Sequence, residues 1–383
     1  MRKLLLILLF SCTSCSTLDI QNVTPTAYTQ ELSEITSKID ALERKPISSI
    51  DQNDALQSVF YRYRRASLTV DFYDFKAVET ALQHALRYFG PSTQLSLISA
   101  HFNFKLHRLD QAKFDLEQVD KFGGHPQAEA LKADIALQEG KYLIAEEAYD
   151  KLCKENPSWD NLARFAYYKA HTGLQEQADM LYEQAQEKLS VKEMQHFAWL
   201  ELQRGILDLE LKRYDDALAH YRRAEQAYSG YWLIREHIAE VYALLGRKTA
   251  AIDLYGKIIA ETNKPEFISA LAKIYDDDKR NEAFELFQLA DNLFAKEYSI
   301  YPSAAAGHVI ESLLEREKIH PKLLEYANVN HQLRPNAQSK YLLAKTYLKL
   351  GEQDRAMNLM AEVMQSQWRT SDIESLAQQL KLN

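Results

Sequence analysis

Apolar residues follow two patterns along this chain. The first is one uninterrupted run, Leu4 to Phe10, behind Met1-Arg2-Lys3 and ahead of the small polar residues Ser11, Thr13 and Ser14. The second is periodic. Apolar positions recur at helical spacing through the rest of the sequence and no window alternates as a strand would, so the pattern predicts helices throughout.

The helical windows repeat one another. In EGKYLIAEEAYDKL (139–152), TGLQEQADMLYEQA (172–185), LGRKTAAIDLYGKI (245–258) and LGEQDRAMNLMAEV (350–363), a Gly stands five residues before an Ala. LHRLDQAKFDLEQV (106–119) and LKRYDDALAHYRRA (211–224) keep the Ala and lack the Gly. These alanines fall at 112, 145, 178, 217, 251 and 356, with gaps of 33, 33, 39, 34 and 105, and Ala283 supplies an intermediate in the last gap. Twelve residues earlier stands Ala100, Ala133, Ala166, Gly205, Ala239 or Ala344; four residues later stands Leu116, Tyr149, Tyr182, Tyr221, Tyr255 or Met360. Pro126, Pro157, Pro265 and Pro335 punctuate the units. One small residue on each helix lets two backbones approach, Gly supports the left-handed chain reversal, and Pro fits the first turn of the next helix.

This set of spacings resembles the tetratricopeptide repeat, a 34-residue helix-turn-helix unit. The resemblance implies an all-α fold, a right-handed α-solenoid with a C-terminal capping helix. It divides the chain into a signal segment (1–14), a tether and short helix (15–50), a degenerate repeat (51–90), about eight units (91–367) and a capping helix (368–383). Three departures stand out: extra residues around QEKLSVKEMQH, a short unit at 265–297 with YDDDKR as its turn, and Leu323 where the 298–335 unit should have Ala. Within 15–50, Leu32, Ile35, Ile39 and Leu42 make one apolar stripe, suited to a helix docking on the first repeat. Ser371 is expected to cap the final helix.

A basic start, a short apolar run and small polar residues are the layout of a secretory signal peptide. The run is far too short to span a bilayer. It also resembles a bacterial lipobox, which implies an acylated cysteine. Cys15 follows Ser14 and Thr13 and is the preferred acceptor; Cys12, with Leu9 at −3, Ser11 at −1 and bulky Phe10 at −2, is the alternative. Ser16 (or Thr13) after the cysteine implies sorting to the outer membrane. The competing reading, a redox or zinc C-x-x-C, lacks the βαβ context or the second ligand pair. Cys153 stands alone and reads as a small hydrophobe.

A net charge of −8 over 383 residues speaks against phosphate-backbone binding. Phosphate-loop, dinucleotide and serine-elbow motifs are missing. His237 and Glu240 share a helix face without the second histidine of a zinc motif; Asp276, Asp277 and Asp278 lack the EF-hand spacing; His308 follows small residues and reads as a packing histidine. No catalytic residue, metal or cofactor is therefore expected, and no small-molecule substrate. The resemblance instead directs attention to the concave face formed by the first helices, where Tyr167, His171, Trp199, Leu202, Glu236, Glu240, Tyr341 and Lys345, with Asp134, Leu137 and Lys349, are the candidates for binding other envelope proteins. The expected function is a non-enzymatic scaffold or assembly factor, lipid-anchored at the periplasmic face of the outer membrane. The alternative is an envelope enzyme or solute-binding protein holding a ligand inside the superhelix, recognisable by histidines and carboxylates converging from neighbouring units.

Overall fold

The computed structural model describes residues 25–276 and 280–382, so Cys12, Cys15, Asp277 and Asp278 lie outside the described residues. Among the described residues there is no strand, and no helix is long and apolar enough to cross a membrane. A first helix, α1 (Ala27–Glu43), precedes a series of helical hairpins. These are α2 (Gln52–Thr69) with α3 (Phe72–Phe89), α4 (Thr93–Lys105) with α5 (Leu109–Lys121), and α6 (Pro126–Gln138) with α7 (Tyr142–Glu155). They continue with α8 (Trp159–Ala170) and α9 (Gln175–Glu187), α10 (Met194–Glu210) and α11 (Tyr214–Ala227), and α12 (Trp232–Leu244) and α13 (Lys248–Thr262). The last are α14 (Pro265–Asp276) and α15 (Arg280–Ile300), α16 (Pro302–Leu314) and α17 (Leu323–Leu333), and α18 (Ala337–Lys349) and α19 (Gln353–Gln365), closed by α20 (Ser371–Gln379). The fold is an all-α solenoid of helix-turn-helix units.

The recurring small residues sit where the hairpins meet. Ala112, Ala145, Ala178, Ala217, Ala251, Ala283 and Ala356 each occupy the fourth position of a second helix, and all are fully buried. Ala100, Ala133, Ala166, Ala239 and Ala344 occupy the eighth position of a first helix and are equally enclosed. With side chains this short, the two backbones of a unit close on one another, and the large residue one turn on, Tyr149, Tyr182, Tyr221 or Tyr255, fills the remaining space. The extra residues before Ala217 extend α10 to 17 residues, one turn longer at its start than the 13-residue α6. In α17 two fully buried residues a turn apart, Leu323 and Ala327, share the role of the single alanine.

Between the helices of a unit the chain reverses through a left-handed residue, Gly140 (φ 75°), Gly173 (80°), Gly246 (72°) and Gly351 (81°). Where the Gly is missing, His107 (φ 54°) and Lys212 (60°) adopt the same conformation. A non-glycine residue there costs on the order of 1–2 kcal/mol.

The late units come back into contact with the early ones. Tyr301 stacks on Phe72 with ring centroids 5.7 Å apart, and Ser303 donates to the Leu106 carbonyl at 2.5 Å. Asn336 donates to the Gln138 carbonyl at 3.1 Å, and the Tyr142 hydroxyl accepts from the Ala337 amide at 2.7 Å. Helix α1 packs on α2 and also bridges forward. Its Tyr28 amide donates to the Ser229 carbonyl at 3.1 Å, and its Glu31 accepts from the Tyr228 hydroxyl at 2.6 Å. The expected docking on the first repeat is thus only half of what α1 does.

The C-terminal segment completes the closure. Trp368 stacks on Tyr142 (5.6 Å, planes 18° apart) and on His171 (4.6 Å, 16°), and the Arg369 amide donates to the His171 carbonyl at 2.6 Å. The cap of α20 is Thr370, whose hydroxyl accepts from the Ile373 amide at 3.3 Å, and not Ser371. Ser371 instead donates to the Glu210 carbonyl on α10, because the segment runs across the ends of α8 and α10 before its helix begins.

Candidate functional site

Closure leaves an interior cavity of about 630 Å³. Leu137 and Tyr142 line it from one unit, Tyr167 and His171 from the next, Glu210 and Lys212 from the α10–α11 turn, and Glu240 from α12. The returning units contribute His308, Glu311 and Arg334, and the C-terminal segment Trp368 and Asp372. Histidine contacts organise part of this wall: His171 Nε2 lies 3.3 Å from Glu210, while its Nδ1 lies 2.8 Å from the Tyr167 carbonyl on α8. Burial pushes the Glu311 carboxyl above its ordinary range, against the pull of His308 and Arg334. Burial, reinforced by Arg334, pushes His107 down to about 3.

Comparison with known proteins bears on the units that build this wall. The family model described as tetratricopeptide repeat matches residues 208–274, from the end of α10 into α14. Residues 208–274 thus match the tetratricopeptide repeat, and the hairpins on either side of them have the same helix-turn-helix form. No curated protein matches it in sequence. Among solved structures it is similar to the human IFIT1 dimer with m7Gppp-AAAA (13% identity, 92% of this chain and 85% of that one, TM-score 0.46). It is similar to yeast Tom70 (16% identity, 92% and 96%, TM-score 0.36). It is also similar to Pseudomonas aeruginosa pilF (16% identity, 66% and 97%, TM-score 0.35).

In the helical array the residues expected on the concave face separate into three groups. Leu137, Tyr167, His171 and Glu240 line the interior cavity. Leu202 (2% exposed) and Tyr341 (5%) are core residues, packed between first helices and out of reach of a docked partner. Trp199 remains 41% exposed and meets Trp159 edge to face at 5.8 Å, away from the cavity wall. Lys345 lies over the Tyr341 ring at 5.4 Å, and Asp134 is taken up by Arg164 at 3.0 Å and the Tyr149 hydroxyl at 2.8 Å. Lys349 donates to the Leu314 carbonyl at 3.1 Å. Sequence reasoning missed His107, Glu311, Arg334 and Trp368 and took His308 for a packing residue. One signal was legible: His107 and Lys212 stand where sister units have Gly.

Glu236 and Glu240 belong to a partly buried triad on α12. His237 Nδ1 lies 3.4 Å from Glu236 and 3.2 Å from Glu240, and the three ligand atoms fall within 4.8 Å of one another. The spacing suits a cation, and the same crowding of carboxylates round the imidazole governs its protonation. Burial opposes charge on His237, but the two carboxylates outweigh it and raise its pKa. Burial pushes Glu236 up to about 7, with Glu240 and Glu266 adding to the rise. Tyr221 from α11 stacks on the imidazole at 5.2 Å, and Tyr255 from α13 feels both carboxylates.

Both shifts are upward, so the folded state holds protons that the unfolded chain releases. Their stabilisation is complete below about pH 4.5 for Glu236 and 6.5 for His237. It is lost as pH rises through the folded values. Stability should therefore fall between pH 5 and 8, and Glu236→Gln should reduce that fall by about 1–2 kcal/mol. Urea unfolding at the two pH values checks it; an unchanged pH dependence in the variant contradicts the assignment.

Proposed function

We propose that this tetratricopeptide-repeat protein is a non-enzymatic scaffold or assembly factor of the bacterial cell envelope. Acylated Cys15, or Cys12 in its place, anchors it at the periplasmic face of the outer membrane, and its array binds partner envelope proteins. The anchor reading rests on the N-terminal sequence. The binding reading rests on one surface: an open groove of about 930 Å³ bounded by α3, α5 and the 332–335 segment, with Leu86, Phe114 and Leu333 exposed along it. Phe114 is 53% exposed, an unusual position for an aromatic residue with nothing to cover it. Glu79, Arg108, Asp110 and Lys141 rim the apolar strip, which is the composition of a protein-binding patch with a central anchor. Because the chain's own C-terminal segment crosses the concave face, partner docking moves to this groove.

Labelling of growing cells with a palmitate analogue should tag the full chain and not a Cys12→Ser/Cys15→Ser double variant. Affinity capture from crosslinked envelopes should lose its partners when Phe114 and Leu86 are both changed to Ala. An untagged wild type refutes the anchor, and undiminished capture refutes the groove.

A further inference from the structure

The interior cavity is built with hydrogen-bond donors that the protein itself does not use. The Arg334 side chain lines it, half-buried. Its Nη1 lies 3.0 Å from His107 Nε2, and its Nη2 donates to the Asn330 side-chain oxygen. Among the described residues no carboxylate comes within ion-pair distance of it. Arginine only donates, so His107 Nε2 must be the acceptor of that bond. His107 is neutral at physiological pH, and its one proton therefore sits on Nδ1, a buried nitrogen with no partner in the protein.

Trp368 supplies a second unused donor. Its indole stacks on Tyr142 and on His171, contacts that engage the ring and not Nε1–H. The residue is 7% exposed and that nitrogen too is without a partner. An unpaired buried donor costs on the order of 1–3 kcal/mol. Two such donors on residues lining the same cavity as the Arg334 guanidinium, on which only Glu311 acts through space, call for an acceptor.

The backbone carries the same message. His107 and Lys212 hold left-handed conformations that sister units assign to Gly, and both line this cavity. Strain kept at such positions marks sites where a side chain is wanted. Gly307 on α16 faces the guanidinium closely: a Cβ there would sit 3.0 Å from Arg334 Nη2. A volume near 630 Å³ falls within the range of small-molecule sites.

We propose that the interior cavity binds a small organic anion, whose carboxylate or phosphate oxygens accept from Arg334, His107 Nδ1 and Trp368 Nε1. The apolar body of the ligand lies against Leu137, Tyr167 and Leu342 on the same wall. Such a site goes beyond the scaffold function and does not rest on it.

Calorimetry and thermal melting of the purified full chain with phenyl phosphate and benzoate test the two acceptor chemistries, with benzyl alcohol as the neutral control. At least one anion should bind and raise the melting temperature, and benzyl alcohol should do neither. Arg334→Met should weaken that anion at least tenfold. Trp368→Phe, which keeps the stack and deletes the N–H, and Gly307→Ala should each weaken it severalfold and secure the test if Arg334→Met fails to fold. Equal binding of the neutral control overturns the proposal, as does undiminished binding by all the variants. So does failure of both anions, which would mean that water completes these donors.

Discussion

Replacing Gly205 by Ala is expected to destabilise the protein by about 2–3 kcal/mol. A Cβ at this position would lie 2.4 Å from Cε1 and 2.6 Å from Cδ1 of Tyr221, whose ring is fully buried. The sister units carry Ala at the equivalent place, so sequence comparison within the chain makes the change look harmless. Helix propensity favours it as well, by roughly 1 kcal/mol. The clash decides the sign because the Tyr221 ring has little room to retreat. It stacks against His237 with planes 16° apart and so leans on the α12 triad. Urea unfolding of Gly205→Ala beside Ala239→Gly makes the comparison, the latter expected to lose only about 1 kcal/mol by propensity. A Gly205→Ala protein as stable as wild type would show that α10 and α11 are not packed as described.

Trp368→Ala carries the second large effect. Deleting a buried indole costs about 3–5 kcal/mol where the surroundings cannot collapse, and here its aromatic neighbours Tyr142, Tyr167 and His171 belong to other units. In a solenoid the loss is borne by the local interface rather than the whole chain. Limited proteolysis should therefore cut Trp368→Ala between α19 and α20 long before the wild type, with the middle units intact. Trp368→Phe should keep most of the resistance. Equal resistance of Trp368→Ala and wild type would mean that the segment is not held by its tryptophan.

The repeat was legible because each of its signals is local. Ala145 packs within its own hairpin and Gly140 turns its own chain, so both respond to neighbours a few residues to one unit away. Closure of the superhelix is of another kind. Arg334 meets His107 across 227 positions, and the Ala337 amide meets Tyr142 across 195. Those meetings depend on small rotations summed over every intervening unit, which no window of sequence records. For the same reason the concave face could be predicted by position but not by occupancy. Tyr167 and His171 were placed on it, and the segment that covers them comes from residues 366–372. The α20 cap shows the limit at small scale: Thr370 and Ser371 are equal on paper, and Ser371 is drawn away by the Glu210 carbonyl.

Hydrogen exchange read by mass spectrometry on the peptide covering 366–370 tests the closure most directly. This stretch lies outside the helices, and the Arg369 amide finds its partner far along the chain, at the His171 carbonyl just past α8. The closed array predicts exchange as slow as that of the core helices, and a rise in exchange there in Trp368→Ala. Complete exchange within seconds in the wild type, with α18 and α19 still protected, would contradict it and leave an open superhelix with a free end.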